Sequence, residues 1–160
     1  MKAFDMRGII FDFNRTIFDP ESGALFDGAR ELLSALHHEG VAMILIAKTG
    51  EDRQKLLQEL QIDIYFTEVR FLIQKRLEDF RKIVDYYRLN PSKTFVIGDR
   101  INLEISLGIQ LGLQTIWFRN GRFAHEEPDV QNGRPSHTAY NWAEIQSILE
   151  FHYDMSFNNV

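Results

Sequence analysis

The feature that most constrains the fold of this chain is a repeated alternation between short apolar runs and segments of helical periodicity. Residues 7–13 (RGIIFDF), 41–46 (VAMILI), 94–97 (TFVI) and 115–118 (TIWF) are rich in apolar, β-forming side chains. Runs of that kind suit strands covered on both faces, as in a parallel sheet. Between them, residues 29–38 set Ala29, Leu32, Leu33 and Leu36 on one helical face, and Gly40 follows as a stop signal. Residues 51–60 do the same with Leu56, Leu57 and Leu60. Helices are also expected over 77–87, ended by Asn90-Pro91, and over 103–111, ended by Gly112. A further short strand is expected at 64–67, a loop across 121–135, and a last helix at 142–151. The tail 157–160 is expected to fray. Strands joined through helices by short connections make parallel βαβ units, and so an α/β, doubly wound parallel sheet.

A length of 160 residues is enough to bury a sizeable core, and one domain is expected over 1–160, with no internal repeat or linker. The longest apolar run, at 41–47, is far short of a membrane span, so no membrane association is expected. The N-terminal residues lead straight into a strand-like segment with no apolar signal region, which points to a cytoplasmic protein. The absence of cysteine excludes disulfides, thiolate-bound zinc and a thiol nucleophile. A formal charge of −5 argues against nucleic acid as a partner, because that binding rests on a basic surface.

In doubly wound sheets the ligand lies beyond the carboxyl ends of the strands. That rule selects Asp12 and Asn14, then 47–49, then 99–104. Asp12 stands at the tip of the apolar segment GIIF, with Asn14 and Thr16 after it. Read alone, such an aspartate is most often a loop-capping acid. The segment FVIGD repeats the pattern: an apolar strand, a glycine for close approach, Asp99 at the tip, and Glu104 shortly after. Two strand-tip carboxylates at one sheet edge repel each other and suit a hard dication such as magnesium. Lys75, beyond the short strand, and Lys48, at the end of the second apolar run, are each surface lysines or phosphate-neutralising groups. His37, His38, His125, His137 and His152 are too dispersed to suggest a metal site.

Taken in order, Asp12-x-Asn14-x-Thr16, the strand ending in Lys48-Thr49, Lys75, and Gly98-Asp99-x-x-x-x-Glu104 resemble the four ordered motifs of the haloacid dehalogenase superfamily. The similarity covers residues 7–121, with 122–160 as a C-terminal loop and helix; FVIGDRINLEISLGIQLGLQTIWF is its most specific part. The resemblance implies a Rossmann-like core and a magnesium-dependent phosphatase or phosphotransferase. Asp12 would be the nucleophile, forming an aspartyl-phosphate, and Lys75 would be the third motif's lysine. Magnesium would be held by Asp12, the Asn14 backbone carbonyl and Asp99, with Glu104 beside it. Lys48 and Thr49 would join Lys75 on the phosphate.

The departures from that pattern carry their own expectations. The family's phosphatases usually place a second aspartate, which exchanges protons with the leaving group, where this chain has Asn14. An amide cannot do this, and general acid–base help of roughly 100- to 10,000-fold is at stake; Asn14→Asp is therefore expected to raise turnover. The strand-end Ser or Thr of the second motif falls on Ala47, with Thr49 two residues on and Lys48 as a source of charge. Glu104 replaces the more common aspartate. The intervals between Thr16 and the first helix, and between Thr49 and Lys75, leave no room for a sizeable cap domain. An open site suits a phosphorylated macromolecule, or a small molecule shielded by oligomerisation, with Phe18, Phe26 and Phe123 as candidates for its mouth. Two other readings share the scaffold: a catalytically silent binding or regulatory module, and a 2-haloacid dehalogenase, which needs an enclosed apolar pocket.

Overall fold

Six strands pair in parallel in the computed structural model, which describes residues 5–157. In chain order the elements are strand β1 (Met6–Phe11), a hairpin of β2 (Phe18–Asp19) and β3 (Ala24–Leu25), helix α1 (Ala29–His38), β4 (Ala42–Lys48) and α2 (Arg53–Glu59). There follow β5 (Glu68–Leu72), α3 (Leu77–Tyr86), β6 (Leu89–Gly98), α4 (Ser106–Gln110), β7 (Gln114–Phe118), β8 (His137–Ala139) and α5 (Trp142–Tyr153). The sheet order is β5-β4-β1-β6-β7-β8. The chain moves outward one way from β1 through β4 to β5, then returns to β6 and moves outward the other way. The reversal lies between β1 and β6, which is where a doubly wound sheet opens a crevice at its carboxyl edge.

The apolar runs become the inner strands because both of their faces are covered. Ile9, Phe11, Met43, Leu45, Phe95 and Ile97 face one core, with Leu32, Leu36, Trp142, Ile145 and Leu149 from α1 and α5. Ile10, Ile44 and Val96 face the other, with Phe80 and Ile83 from α3. Register pairs Ile9 with Met43 and Phe95, and Phe11 with Leu45 and Ile97, so like-facing residues stand side by side. Each fully buried side chain of this size contributes about 1.5–3 kcal/mol. Truncating the completely buried Phe11 to alanine would cost about 3–5 kcal/mol.

The expected elements are present, with corrections, and the small β2–β3 hairpin is an addition the sequence did not signal. The strand expected at 64–67 lies instead at Glu68–Leu72; Asp63–Tyr65 is a single 3-10 turn with Ile64 66% exposed. Among the described residues this strand forms the sheet edge and pairs only with β4, so it is half-buried throughout and carries polar residues that hide it in the sequence. The helix expected over 103–111 begins as a wide π turn, Ile101–Ile105, before α4. The short edge strand His137–Ala139 had no sequence counterpart. Of the tail expected to fray, Phe157 is buried and its N–H donates to the Glu150 carboxylate (2.9 Å); residues 158–160 lie outside the described residues. No sizeable cap domain is present among the described residues: the β1–α1 interval holds only the small hairpin, and 49–75 holds one helix, one turn and one strand.

Candidate active site

The site forms at the carboxyl tips of β1 and β6. The Asp12 N–H donates to the Ile97 carbonyl (3.0 Å), which ties the two tips together. Beyond it the backbone closes a tight turn in which the N–H groups of Thr16, Ile17 and Phe18 all converge on the Phe13 carbonyl. Arg15 adopts the left-handed conformation there (φ 59°). The turn brings the Thr16 hydroxyl back to donate to Asp12 Oδ2 (3.1 Å). The fully buried Thr16 is itself anchored by Trp142 Nε1 donating to its carbonyl (2.9 Å).

Lys75, buried in the connection between β5 and α3, donates to Asp12 Oδ1 in a close ion pair. Its Nζ also lies 3.7 Å from Glu104 Oε2. Glu104 reaches the same point because Gly98 has no side chain: a Cβ there would sit 2.2 Å from Glu104 Cγ. The Arg100 N–H holds its other oxygen (3.2 Å), across the π turn. Asp99 completes the group, with Arg15 Nε donating to Oδ2 (3.2 Å).

The electrostatics follow from three carboxylates against few cations. Burial works most strongly against the Asp12 charge, yet the Lys75 ammonium outweighs it and holds the carboxyl below its usual range. Burial likewise disfavours the Lys75 charge, and Asp12 and Glu104 overcome it, raising its pKa. Asp99 goes the other way. Burial, followed by the charges of Asp12 and Glu104, pushes it up to about 9 despite Arg15. Burial, with Asp12 beside it, also raises Glu104 against the pull of Lys75.

Carboxylate oxygens of Asp12, Asp99 and Glu104 lie within 4.8 Å of one another, and the buried Glu104 Oε2 has no hydrogen-bond partner among the described residues. An oxygen-rich cluster with surplus negative charge and an unused lone pair fits a hard divalent cation.

The cavity over this cluster measures about 380 Å³, and its far walls are basic. Lys48 and Arg53 close one side, and Arg100, Arg122 and Phe123 the other. Of the residues singled out in sequence, Asp12, Asn14, Lys48, Lys75, Asp99 and Glu104 all line this one space. Thr49 does not; it lines an adjoining surface cleft that shares Arg53 with the cavity, and its N–H donates to the Leu72 carbonyl (2.8 Å). Ala47 lies within β4, paired with Phe71, and its methyl is buried in the core. Phe123 stands at the mouth, beneath the Arg100 guanidinium (4.1 Å). Phe18 stacks on Phe13 and Phe26 packs edge-on against Phe118, so neither is at the mouth.

Sequence reasoning passed over Arg15, Arg53, Arg100 and Arg122. Arg15 and Arg100 adjoin motif residues, and that adjacency was the available signal. Arg53 and Arg122 had none, since surface arginines on a helix start and a loop look alike in sequence.

A family model described as haloacid dehalogenase-like hydrolase matches residues 4–112. The chain belongs to that hydrolase family. Within it, the chain is 25% identical over 130 residues to the glyceraldehyde 3-phosphate phosphatase of Pyrococcus furiosus. That alignment takes in 77% of this chain and 52% of the relative, so the chain spans about half the length of the curated protein it matches. Among solved structures it is similar to the core domain of a candidate phosphoglycolate phosphatase from Streptococcus pneumoniae TIGR4 (25% identity, TM-score 0.65, 91% and 96% of the two chains). It also shares its fold with a candidate HAD-hydrolase, YfnB, from Bacillus subtilis, whose structure holds magnesium (15% identity, TM-score 0.73, 92% and 99%). Members of the superfamily typically use a divalent metal, and the acidic trio of this chain offers a place for one. Among the described residues no helix is long and apolar enough to cross a membrane.

Proposed function

We propose that this family hydrolase is a magnesium-dependent phosphatase acting on phosphate monoesters through an aspartyl-phosphate on Asp12. The observation that carries it is the state of Asp12: a strand-tip carboxylate kept ionised by Lys75, fixed by the Thr16 hydroxyl, and facing a basic cavity. A carboxylate held in one rotamer with a free face is a positioned nucleophile. Asp12, the Asn14 backbone carbonyl and Asp99 would hold the cation, with Glu104 beside them; once bound, it neutralises charge on the transferring phosphoryl group.

The chain's own groups account for the rest. Asp12 attacks phosphorus, the ester P–O bond breaks, and the leaving oxygen takes its proton from solvent in the open cavity. Water then cleaves the aspartyl-phosphate, releasing inorganic phosphate and restoring Asp12. Lys75 keeps Asp12 anionic before attack and faces the phosphoryl oxygens during it.

A second reading, a silent module of the same fold, is favoured by one observation: the amide of Asn14 and the buried methyl of Ala47 remove two polar groups that phosphatases of the family use. The dehalogenase reading is disfavoured by the charged walls of the cavity.

Hydrolysis of p-nitrophenyl phosphate, with magnesium and with EDTA, beside the Asp12→Asn variant, decides between them. Turnover that needs both magnesium and Asp12 supports the phosphatase. A folded, magnesium-binding protein without turnover supports the silent module.

A further inference from the structure

Six cations line the cavity: Arg15, Lys48, Arg53, Lys75, Arg100 and Arg122. Three have carboxylate partners, Lys75 with Asp12, Arg15 with Asp99 (3.2 Å) and Arg100 with Glu126 (3.2 Å). Lys48, Arg53 and Arg122 form no ion pair among the described residues. Positive charge left uncompensated inside a concavity, on a chain of net charge −5, raises the local concentration of anions there.

Arg53 differs from the other two in being held in place. Its two terminal nitrogens donate to the Asn14 side-chain oxygen (3.0 and 2.9 Å) when that amide is turned to accept them. Its guanidinium lies 6.0 Å above the Phe13 ring. Its stem folds over Gly50, where a Cβ would come within 2.8 Å of Arg53 Nε. A half-buried guanidinium, oriented by a neutral amide and with no counter-ion, has lost rotamer freedom without having its charge satisfied. Its planar fork matches a carboxylate or a phosphate. The Lys48 ammonium stands on the same wall.

We propose that the site is adapted to phosphate monoesters bearing a second anionic group, and that Arg53, supported by Lys48, binds that group. The inference rests on the phosphatase reading and adds the class of substrate. Asn14 then has a use that an aspartate would defeat. An aspartate in its place would neutralise Arg53, whereas the amide orients the guanidinium and leaves its charge for the ligand.

The test is a pair of esters that differ only in the second charge: 2-phosphoglycolate against ethyl phosphate. Propane-1,3-diyl bisphosphate against propyl phosphate asks the same of a second phosphate. Wild-type protein should favour the doubly anionic member in kcat/KM, and Arg53→Met should reduce that preference by about 10- to 100-fold, the range of one charge-assisted hydrogen-bonded pair. Arg53→Lys should restore part of it. Preference for one anion over the other identifies its chemistry as carboxylate or phosphate. Equal losses on both members of each pair would overturn the proposal, because Arg53 would then be serving the transferring phosphoryl group; so would a wild type indifferent to the second charge. The same pairs, measured as dissociation constants on Asp12→Asn protein by titration calorimetry, give the answer without turnover. Discrimination in binding with no hydrolysis by the wild type would sink the phosphatase reading and leave the anion site standing.

Discussion

The two sides of the cavity are built on opposite principles. At the tips of β1 and β6 the ionisable groups are crowded together and largely withdrawn from solvent: Lys75 pairs with Asp12 and lies near Glu104, and the half-buried Arg15 donates to Asp99. On the wall where β4 ends and α2 begins, Lys48 is exposed and Arg53 is held by a neutral amide. Ionisable groups packed against one another in a low-dielectric setting fix a geometry, and they suit steps that must be the same for every substrate. Charges left unpaired near solvent add little to stability and remain available to a ligand. The acidic side is therefore suited to the reaction and the basic wall to the choice of substrate. Experiments that strike one side at a time can break this division.

The largest effect should come from the paired side. Asp12→Asn should reduce turnover by roughly 10⁴-fold or more, because it removes the attacking oxygen and the anion that Lys75 is set to hold. Steady-state assay of a variant with an unchanged circular dichroism spectrum tests this. Activity within tenfold of wild type would take Asp12 out of the nucleophile role.

Next is a stability effect from the same cluster. Burial, followed by the charges of Asp12 and Glu104, pushes the Asp99 carboxyl up to about 9 in the fold, against an ordinary value of 3.8. The folded state thus retains a proton that the unfolded chain has released, and stability falls as pH rises between about 4 and 9. For one proton the slope is at most about 1.4 kcal/mol per pH unit. Melting temperatures in EDTA should decline from pH 6 to pH 9, and magnesium should flatten the decline. A profile equally steep with and without magnesium would speak against a cation among these carboxylates.

How much of this was legible in the sequence divides along the same line. Asp12 and Asp99 stand at strand tips, and that local sign survives in a linear chain; Lys75 and Glu104 do not, and only the order of the family's motifs picked them out. The inner strands were plain because burial on both faces leaves an unbroken apolar run. The edge strands Glu68–Leu72 and His137–Ala139 were not, since one of their sides lacks a partner and their residues are mixed. Arg53 could not be found from sequence: what sets it apart is Asn14, 39 positions earlier, and the open backbone of Gly50.

That contact also revises the expectation for Asn14→Asp. Placed against both terminal nitrogens of Arg53, a carboxylate at position 14 would be held ionised, and an ionised carboxylate cannot protonate a leaving group. The single variant should gain less than about tenfold in turnover, well below the roughly 100-fold or more that general acid–base help can supply. Paired with Arg53→Met, the same aspartate is released and the gain should increase. The pH dependence of kcat separates the cases, because only the double variant should acquire a new ionisation near neutrality. A large gain from Asn14→Asp alone would mean that Arg53 does not stay on this residue when substrate is bound.

The smallest effect is the sharpest test of where the basic wall ends. Thr49 carries the hydroxyl nearest in sequence to the position occupied by Ala47. Yet its backbone N–H is committed to Leu72, and it lines the adjoining cleft on the other side of Arg53 rather than the cavity itself. Reaching the phosphoryl group would require the segment between β4 and α2 to break that hydrogen bond and fold inward. If the wall is as rigid as its contacts imply, Thr49→Ala changes kcat/KM by less than about twofold, since an exposed hydroxyl that touches no ligand contributes almost nothing. A loss above tenfold would show that the segment closes over the substrate. Lys48 and Arg53, at its two ends, would then belong to a moving part, and the contrast between a fixed reactive side and a fixed selective wall would fail at that point.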